Sequence, residues 1–271
     1  MDFLSRGSAP FSEELWAGID AAVMETAKKA LIGRHFLSLY GPLGAGALGV
    51  PVDDLNARKL EDDGALVTTA GRAFREIPLL YQDFSLSWRD LEYSEKNGLP
   101  LDLTSASAAA AVAARNEDRL IFFGNPSLNI PGLFGAKDAA HVKRGDWTKG
   151  EAPFADVAQA VELLIEKGFW GRMALVLSPN LYAQLQRLQP GTGILELDRV
   201  SGLLGGRVLR ASVLGQDKAV LVAAEAANMD LAVGVDFAVS YLELKDLNHS
   251  LRIVETVLPR IKRGDAIVVF D

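Results

Sequence analysis

Gly44, Gly46 and Gly49, inside the run GPLGAGALGV, occupy the three glycine places of a dinucleotide-binding fingerprint. The chemistry on offer would be pyrophosphate binding, with the first amides of a helix holding the anion. That needs a helix opening at the glycines. The chain instead passes through Pro51 into DDLNARKLEDDG, which has no sustained helical spacing of apolar residues. No Lys-Ser or Lys-Thr pair follows to make a phosphate loop. The run is therefore read as a hinge, because glycine adopts backbone angles closed to other residues.

The remaining reactive residues are scattered. His35, His141 and His249 stand at no metal-ligand spacing, and each is read as a surface or packing residue. Asp53-Asp54 and Glu61-Asp62-Asp63 lack the order of a calcium loop and read as solvated charge. There is no GxSxG elbow and no cysteine, so disulfide and thiolate chemistry are excluded. The sequence therefore offers no catalytic residue and no metal-ligand set. The chain has 271 residues, 49% hydrophobic and 23% charged, which is ordinary globular composition. A net charge of −7 argues against a general nucleic-acid binder. No run approaches the ~18 apolar residues of a membrane helix, and MDFLSRGSAPFSEELW lacks a secretory apolar core. The expectation is a cytoplasmic protein with no nucleic-acid or membrane partner.

The elements that would position any site form an α+β order. Residues 12–32 read as a helix: Ser12 caps it, Trp16, Ile19, Val23 and Leu31 lie along one stripe, and Gly33 stops it. RHFLSLY (34–40) reads as extended. Asp63-Gly64 marks a hairpin turn between LNARKL and ALVTT. Phe84, Leu86 and Trp88 alternate with Ser85, Ser87 and Arg89 as a strand, with Pro78 at an edge. Residues 104–117 form an alanine-rich helix capped by Thr104 or Ser105, followed by a strand-like RLIFFG. Residues 154–167 give a further helix ended by Gly168, MALVLS a buried strand, and Ser178-Pro179 the start of a short helix. LQPGTG (188–193) is an exposed loop. GRVLRAS, AVLVAA, LAVGVDFAVSYLEL, SLRIVETVLPRIKR and AIVVFD read as strands.

Residues 49–97 pose an energetic problem. A thin two-stranded ribbon is marginal in water on its own. Phe74, Ile77, Leu79, Leu80, Phe84 and Trp88 need a cover. Either the segment folds back on its own body, or neighbouring subunits cover it; the residues alone leave both open.

MDFLSRGSAPFSEELWAGID at the start, LIGRHFLSLYGPLG at 31–44, EDRLIFFGNPSLNIPGLFG at 117–135, and the LAVGVD and VETVLPRI segments resemble the encapsulin (linocin) shell proteins over essentially the full length. The resemblance implies the Hong Kong 97 phage major capsid protein fold. A peripheral domain would combine residues 1–47, 98–132 and 225–271, an extended arm would span 48–97, and an axial domain 133–224. It implies a homo-oligomer, a sixty-subunit icosahedral shell without catalysis, whose arm lies over a neighbour. Gln189, Pro190, Gly191, Thr192, Gly193 and Ile194 would line a five-fold pore. The cargo would be a dye-decolorising peroxidase or ferritin-like protein, docked by a C-terminal peptide. Leu31, Arg34, Phe36 and Ser38 would line one side of the dock, and Asp230, Val233 and Val235 the other. Some relatives carry a bulkier side chain where this chain has Ala27. No cofactor is required, but Trp88 matches the position at which some members stack a flavin. Two other readings stand beside it: a prophage major capsid protein, and a stand-alone α+β enzyme using scattered carboxylates.

Overall fold

Ser12 opens the first helix: its hydroxyl accepts the Leu15 N–H at 3.2 Å, and α1 (Glu13–Ala30) follows with acidic residues at its start and lysines in its last turn. The structure, a computed structural model, describes residues 3–53, 59–64, 66–189 and 191–271. After α1 come β1 (Ser38–Tyr40), β2 (Gly49–Asp53), β3 (Lys59–Asp62), β4 (Val67–Ala70), β5 (Arg72–Glu76) and β6 (Leu79–Leu86). Then α2 (Trp88–Asn97), α3 (Thr104–Phe123), β7 (Gly124–Asn125), β8 (Ile130–Pro131), β9 (Ala140–Val142) and α4 (Ala152–Glu166) follow. The rest is β10 (Met173–Leu177), α5 (Pro179–Gln184), α6 (Glu196–Leu203), β11 (Val208–Arg210), β12 (Ala219–Ala223), β13 (Met229–Val233), β14 (Ala238–Lys245), β15 (Asn248–Ile261) and β16 (Ile267–Phe270).

Two sheets organise the body. One runs β1-β13-β15-β14, with β6 also paired to β15. The other runs β11-β10-β12-β16-β9. The long β15 is shared along its length: residues up to Thr256 pair with β6, and Val257 onward pair with β13. Against the first sheet, α1 buries Trp16, Ile19, Val23 and Ala27 beside Ala106, Ala110, Ala113 and Ala114 of α3. The small alanine side chains let the two helices approach closely while Phe84, Leu251 and Ile253 close the layer. In the second sheet every residue of β10, β12 and β16 is buried, and α4 covers it with Val157, Ala160 and Leu164.

Several expected elements are corrected. Residues 34–40 are extended only from Ser38; residues 33–35 form a single 3-10 turn. The strand expected through Trp88 ends at Leu86, where β6 pairs with His249 near the start of β15; with its ladder partner ending there, the chain turns into α2 with Leu91 N–H bonded to Ser87 O. RLIFF is the end of α3, not a strand, because Leu120, Ile121 and Phe122 are buried together in the core and satisfy a helix as well as a strand. The projecting ribbon is shorter than residues 48–97, since β6 belongs to the first sheet. The last strand, β16, lies in the second sheet, apart from β13 to β15, although the expected peripheral domain takes in all of residues 225–271. The glycine run is tied down: Leu43 N–H bonds Val233 O and Gly44 N–H bonds Gly234 O, both at 2.9 Å. The Asp63-Gly64 turn does join two paired strands, β3 and β4, although Asp54 and residues 55–58 of LNARKL lie outside the described residues.

Candidate functional site

At its C-terminal end α1 makes one wall of a groove. Met24, Ala27, Lys28 and Leu31 recur at helical spacing on that face, and Arg34, His35, Asp236 and Phe237 complete a hollow of about 270 Å³. The turn after the helix is fixed from beneath. Asp118 of α3 accepts the Ile32 N–H at 3.1 Å and the Gly33 N–H at 2.8 Å. Gly33 has no room for a side chain, since a Cβ there would lie 2.3 Å from Ile121 Cδ1. Burial pushes the Asp118 carboxyl up to about 7, against the pull of those two amides.

Arg34 is the polar anchor of the groove. Its Nη2 lies 2.7 Å from Glu117 Oε2, its Nη1 2.8 Å from Asp236 Oδ1, and it also meets Glu255. Glu117 and Glu255 are buried. Burial, reinforced by Glu117 facing it, pushes the Glu255 carboxyl well above the ordinary range, against the pull of Arg34. The groove thus has an apolar floor from Ala27, Leu31 and Phe237, and a rim with the partly exposed Asp236 carboxylate beside Lys28. That arrangement can hold a short apolar peptide and orient it by charge.

Of the residues expected to form a dock, the structure gathers Leu31 and Arg34 in this groove and leaves the others elsewhere. Phe36 is buried against Phe122 at 6.1 Å between ring centres. Ser38 stands opposite Asp230 in the parallel β1–β13 register, and the buried Asp230 is held by Arg260 at 2.6 Å and Lys262 at 2.7 Å. Val233 is interior because all five residues of β13 are covered on both faces. Val235 is half-buried and gives its N–H to Thr256 Oγ1 at 2.7 Å. Met24, Lys28, His35, Asp236 and Phe237 were missed. The i, i+3, i+4, i+7 spacing back from Leu31 could have found the helix residues; no local signal marks the contribution of Asp236 and Phe237.

The loop at 188–194 closes as a tight turn. Gln189 N–H bonds Ile194 O at 2.9 Å, the Thr192 hydroxyl donates to Gln189 O at 3.1 Å, and Gly191 and Gly193 take positive φ. Gly191, Thr192, Gly193 and Ile194 are exposed; Gln189 is 6% exposed, because its amide turns inward to Glu151. Pro190 lies outside the described residues. Arg199 braces Glu151 at 2.8 Å, and Arg187 holds the carbonyls of Thr148 and Gly150.

Trp88 begins α2 and borders a cleft of about 550 Å³ with Phe11, Leu15, Leu91, Leu101 and His249. The cleft offers a face for a planar ring. Glu92 and Glu95 also line the cleft, and the Arg89 guanidinium lies 5.7 Å from the Trp88 ring centre.

The arm is built from β2 paired with β5 and β3 paired with β4. Ile77 at its base is buried, but Leu60 is 77% and Phe74 is 74% exposed, with Leu66 and Val67 exposed beside them. Two-stranded ribbons with bare apolar side chains demand a cover from outside the chain.

A family model described as "Encapsulating protein for peroxidase" (Linocin_M18) matches residues 1–258. The type 1 encapsulin shell protein EncA of Myxococcus xanthus is 39% identical over 100% of this chain and 96% of that protein. A diheme-cytochrome-encapsulin shell fusion protein of Kuenenia stuttgartiensis is 40% identical over 96% of this chain and 73% of its own length. Among solved structures, a virus-like particle from Pyrococcus furiosus superposes with a TM-score of 0.76 at 20% identity, covering 95% of this chain and 100% of that one. The capsid of the Myoviridae phage XM1 gives 0.65 at 12% identity, over 89% and 91% of the two chains. These structural likenesses show the Hong Kong 97-like capsid fold. Among the described residues, no helix is long and apolar enough to cross a membrane.

Proposed function

This chain belongs to the Linocin_M18 family of encapsulin shell proteins, and from that premise we propose that it assembles with copies of itself into a closed icosahedral compartment of sixty subunits that encloses a cargo enzyme. The observation that carries this reading is the arm, whose Leu60, Leu66, Val67 and Phe74 stay exposed on the isolated chain. A neighbouring subunit supplies the cover that its own body does not. The first sheet with α1 and α3 forms the peripheral part, the second sheet with α4 to α6 the axial part, and the loop at 188–194 lines the pore around the five-fold axis. The shell itself does no catalysis. Cargo, a peroxidase or ferritin-like protein, docks by an apolar peptide in the groove of Ala27, Leu31 and Phe237, beside Arg34 and Asp236. The compartment is cytoplasmic. Size-exclusion chromatography followed by negative-stain microscopy tests the assembly. Hollow closed particles are expected for the full chain, and only small oligomers after deletion of residues 50–75. Intact shells from the deletion, or a stable folded monomer of the full chain, would overturn the proposal.

A further inference from the structure

A second hollow, of about 350 Å³, lies where the end of α1, the middle of α3 and the strand β11 meet. Lys29, Arg115 and Arg210 line it, together with Asp118 and the hydroxyl-bearing Ser212. Several arginines of this chain are neutralised by a carboxylate, among them Arg6 by Asp20, Arg72 by Asp53, Arg252 by Asp83 and Arg260 by Asp230. Arg115 and Arg210 are not among these, and they line the same hollow. Among the described residues no carboxylate pairs with either, and the one contact of Arg210 is with the face of Tyr182, 5.6 Å from the ring centre, which leaves its charge in place. Lys29 holds Glu25 at 2.6 Å on the solvent side. Asp118 also borders the hollow, with both its carboxyl oxygens accepting the amides of Ile32 and Gly33. On a chain of net charge −7, a small concave site with two uncompensated guanidinium groups from different elements is a local reversal of sign.

We propose that this hollow is an oxyanion site, which takes a phosphate group between the guanidinium groups of Arg115 and Arg210. Each planar guanidinium fork presents parallel donors that match the several acceptor oxygens of a phosphate, and the Ser212 hydroxyl adds another donor. The size suits inorganic phosphate or the phosphoryl end of a small metabolite. A nucleic-acid strand would meet the acidic remainder of the surface. The site is separate from the groove of Arg34, and the inference does not depend on the shell reading.

Isothermal titration of the purified full chain in low-salt, phosphate-free buffer tests it, one arm with inorganic phosphate and one with glycerol 3-phosphate. Saturable binding is expected, reduced about tenfold by either Arg115→Gln or Arg210→Gln, which lose one charge-assisted pair each. Arg119→Gln, an exposed arginine of α3 outside the hollow, leaves binding unchanged. Tighter binding in the first arm identifies the free ion as ligand, and in the second a phosphorylated metabolite. No saturable binding of either probe overturns the proposal, as does equal weakening by Arg119→Gln or indifference to both pocket variants. Circular dichroism confirms that the variants are folded, and microscopy of the same samples reports assembly separately.

Discussion

Asp118 and Gly33, 85 positions apart, meet at 2.8 Å, where the carboxylate of α3 accepts the amide of the turn that follows α1. This contact sets the direction in which Arg34 leaves the helix end, and so the shape of the groove. Its chemistry leads directly to a pH dependence.

The Asp118 carboxyl rises from its ordinary 3.8 to about 7 through burial. Between those values the folded chain binds a proton that the unfolded chain has released. Stability is thus fully present below pH ~4 and falls as pH rises toward 7, by up to ~1.4 kcal/mol per unit from this group. Denaturant titrations across that range should show a shallower decline in Asp118→Asn than in the parent. Glu255, also raised, contributes with the same sign in both proteins. Equal slopes would contradict the assignment to Asp118.

Gly33→Ala places a methyl group 2.3 Å from the buried Ile121 Cδ1. Overpacking of this kind costs about 1–3 kcal/mol. Ile121→Val removes that methyl from the contact and should restore part of the loss, read as the midpoint of chemical unfolding in the single and double variants.

Arg34→Met strands Glu117 and Glu255, both of which the guanidinium contacts. Removing one member of such a buried set costs about 3–5 kcal/mol. A further Glu117→Gln change should recover part of it by removing the charge left behind. Thermal unfolding of the parent and the two variants checks the order; a near-neutral Arg34→Met would show that the cluster is open to water.

Ala27→Leu fills the groove floor without adding charge, since Ala27 is buried beneath the hollow. Cargo co-purification should fall at least tenfold while particles still form. Normal cargo recovery would place the dock elsewhere. Val233→Asp is a poor probe of docking, because it would bury a charge in the core of β13.

Phe74→Asp lies on the exposed arm, in β5 opposite Pro51. Its effect on the stability of the subunit should stay within about 0.5 kcal/mol. Assembly, followed by light scattering, should fail. Unimpaired assembly would show that the arm face carrying Phe74 is not the one that meets a neighbour.

Local chemistry wrote much of this fold into the chain. Ser12 with two glutamates behind it specifies where α1 starts, Asp63-Gly64 specifies a hairpin turn, and Ser178-Pro179 opens α5, because caps and turns depend on residues only a few positions apart. The apolar side chains of residues 49–97 that need a cover were legible too, but whether their own body supplies it was not. Only the tertiary structure decided that RLIFF completes a helix, that Trp88 starts one, and that β16 crosses to the second sheet. An apolar run buried on all sides satisfies either backbone form, and what surrounds it comes from distant segments. The same holds for the groove: Arg34 finds Glu117 83 positions away and Glu255 221 positions away. Charge pairing at such separations leaves no periodic trace in a single sequence, because it is selected by packing of the whole chain and not by the neighbours of either residue.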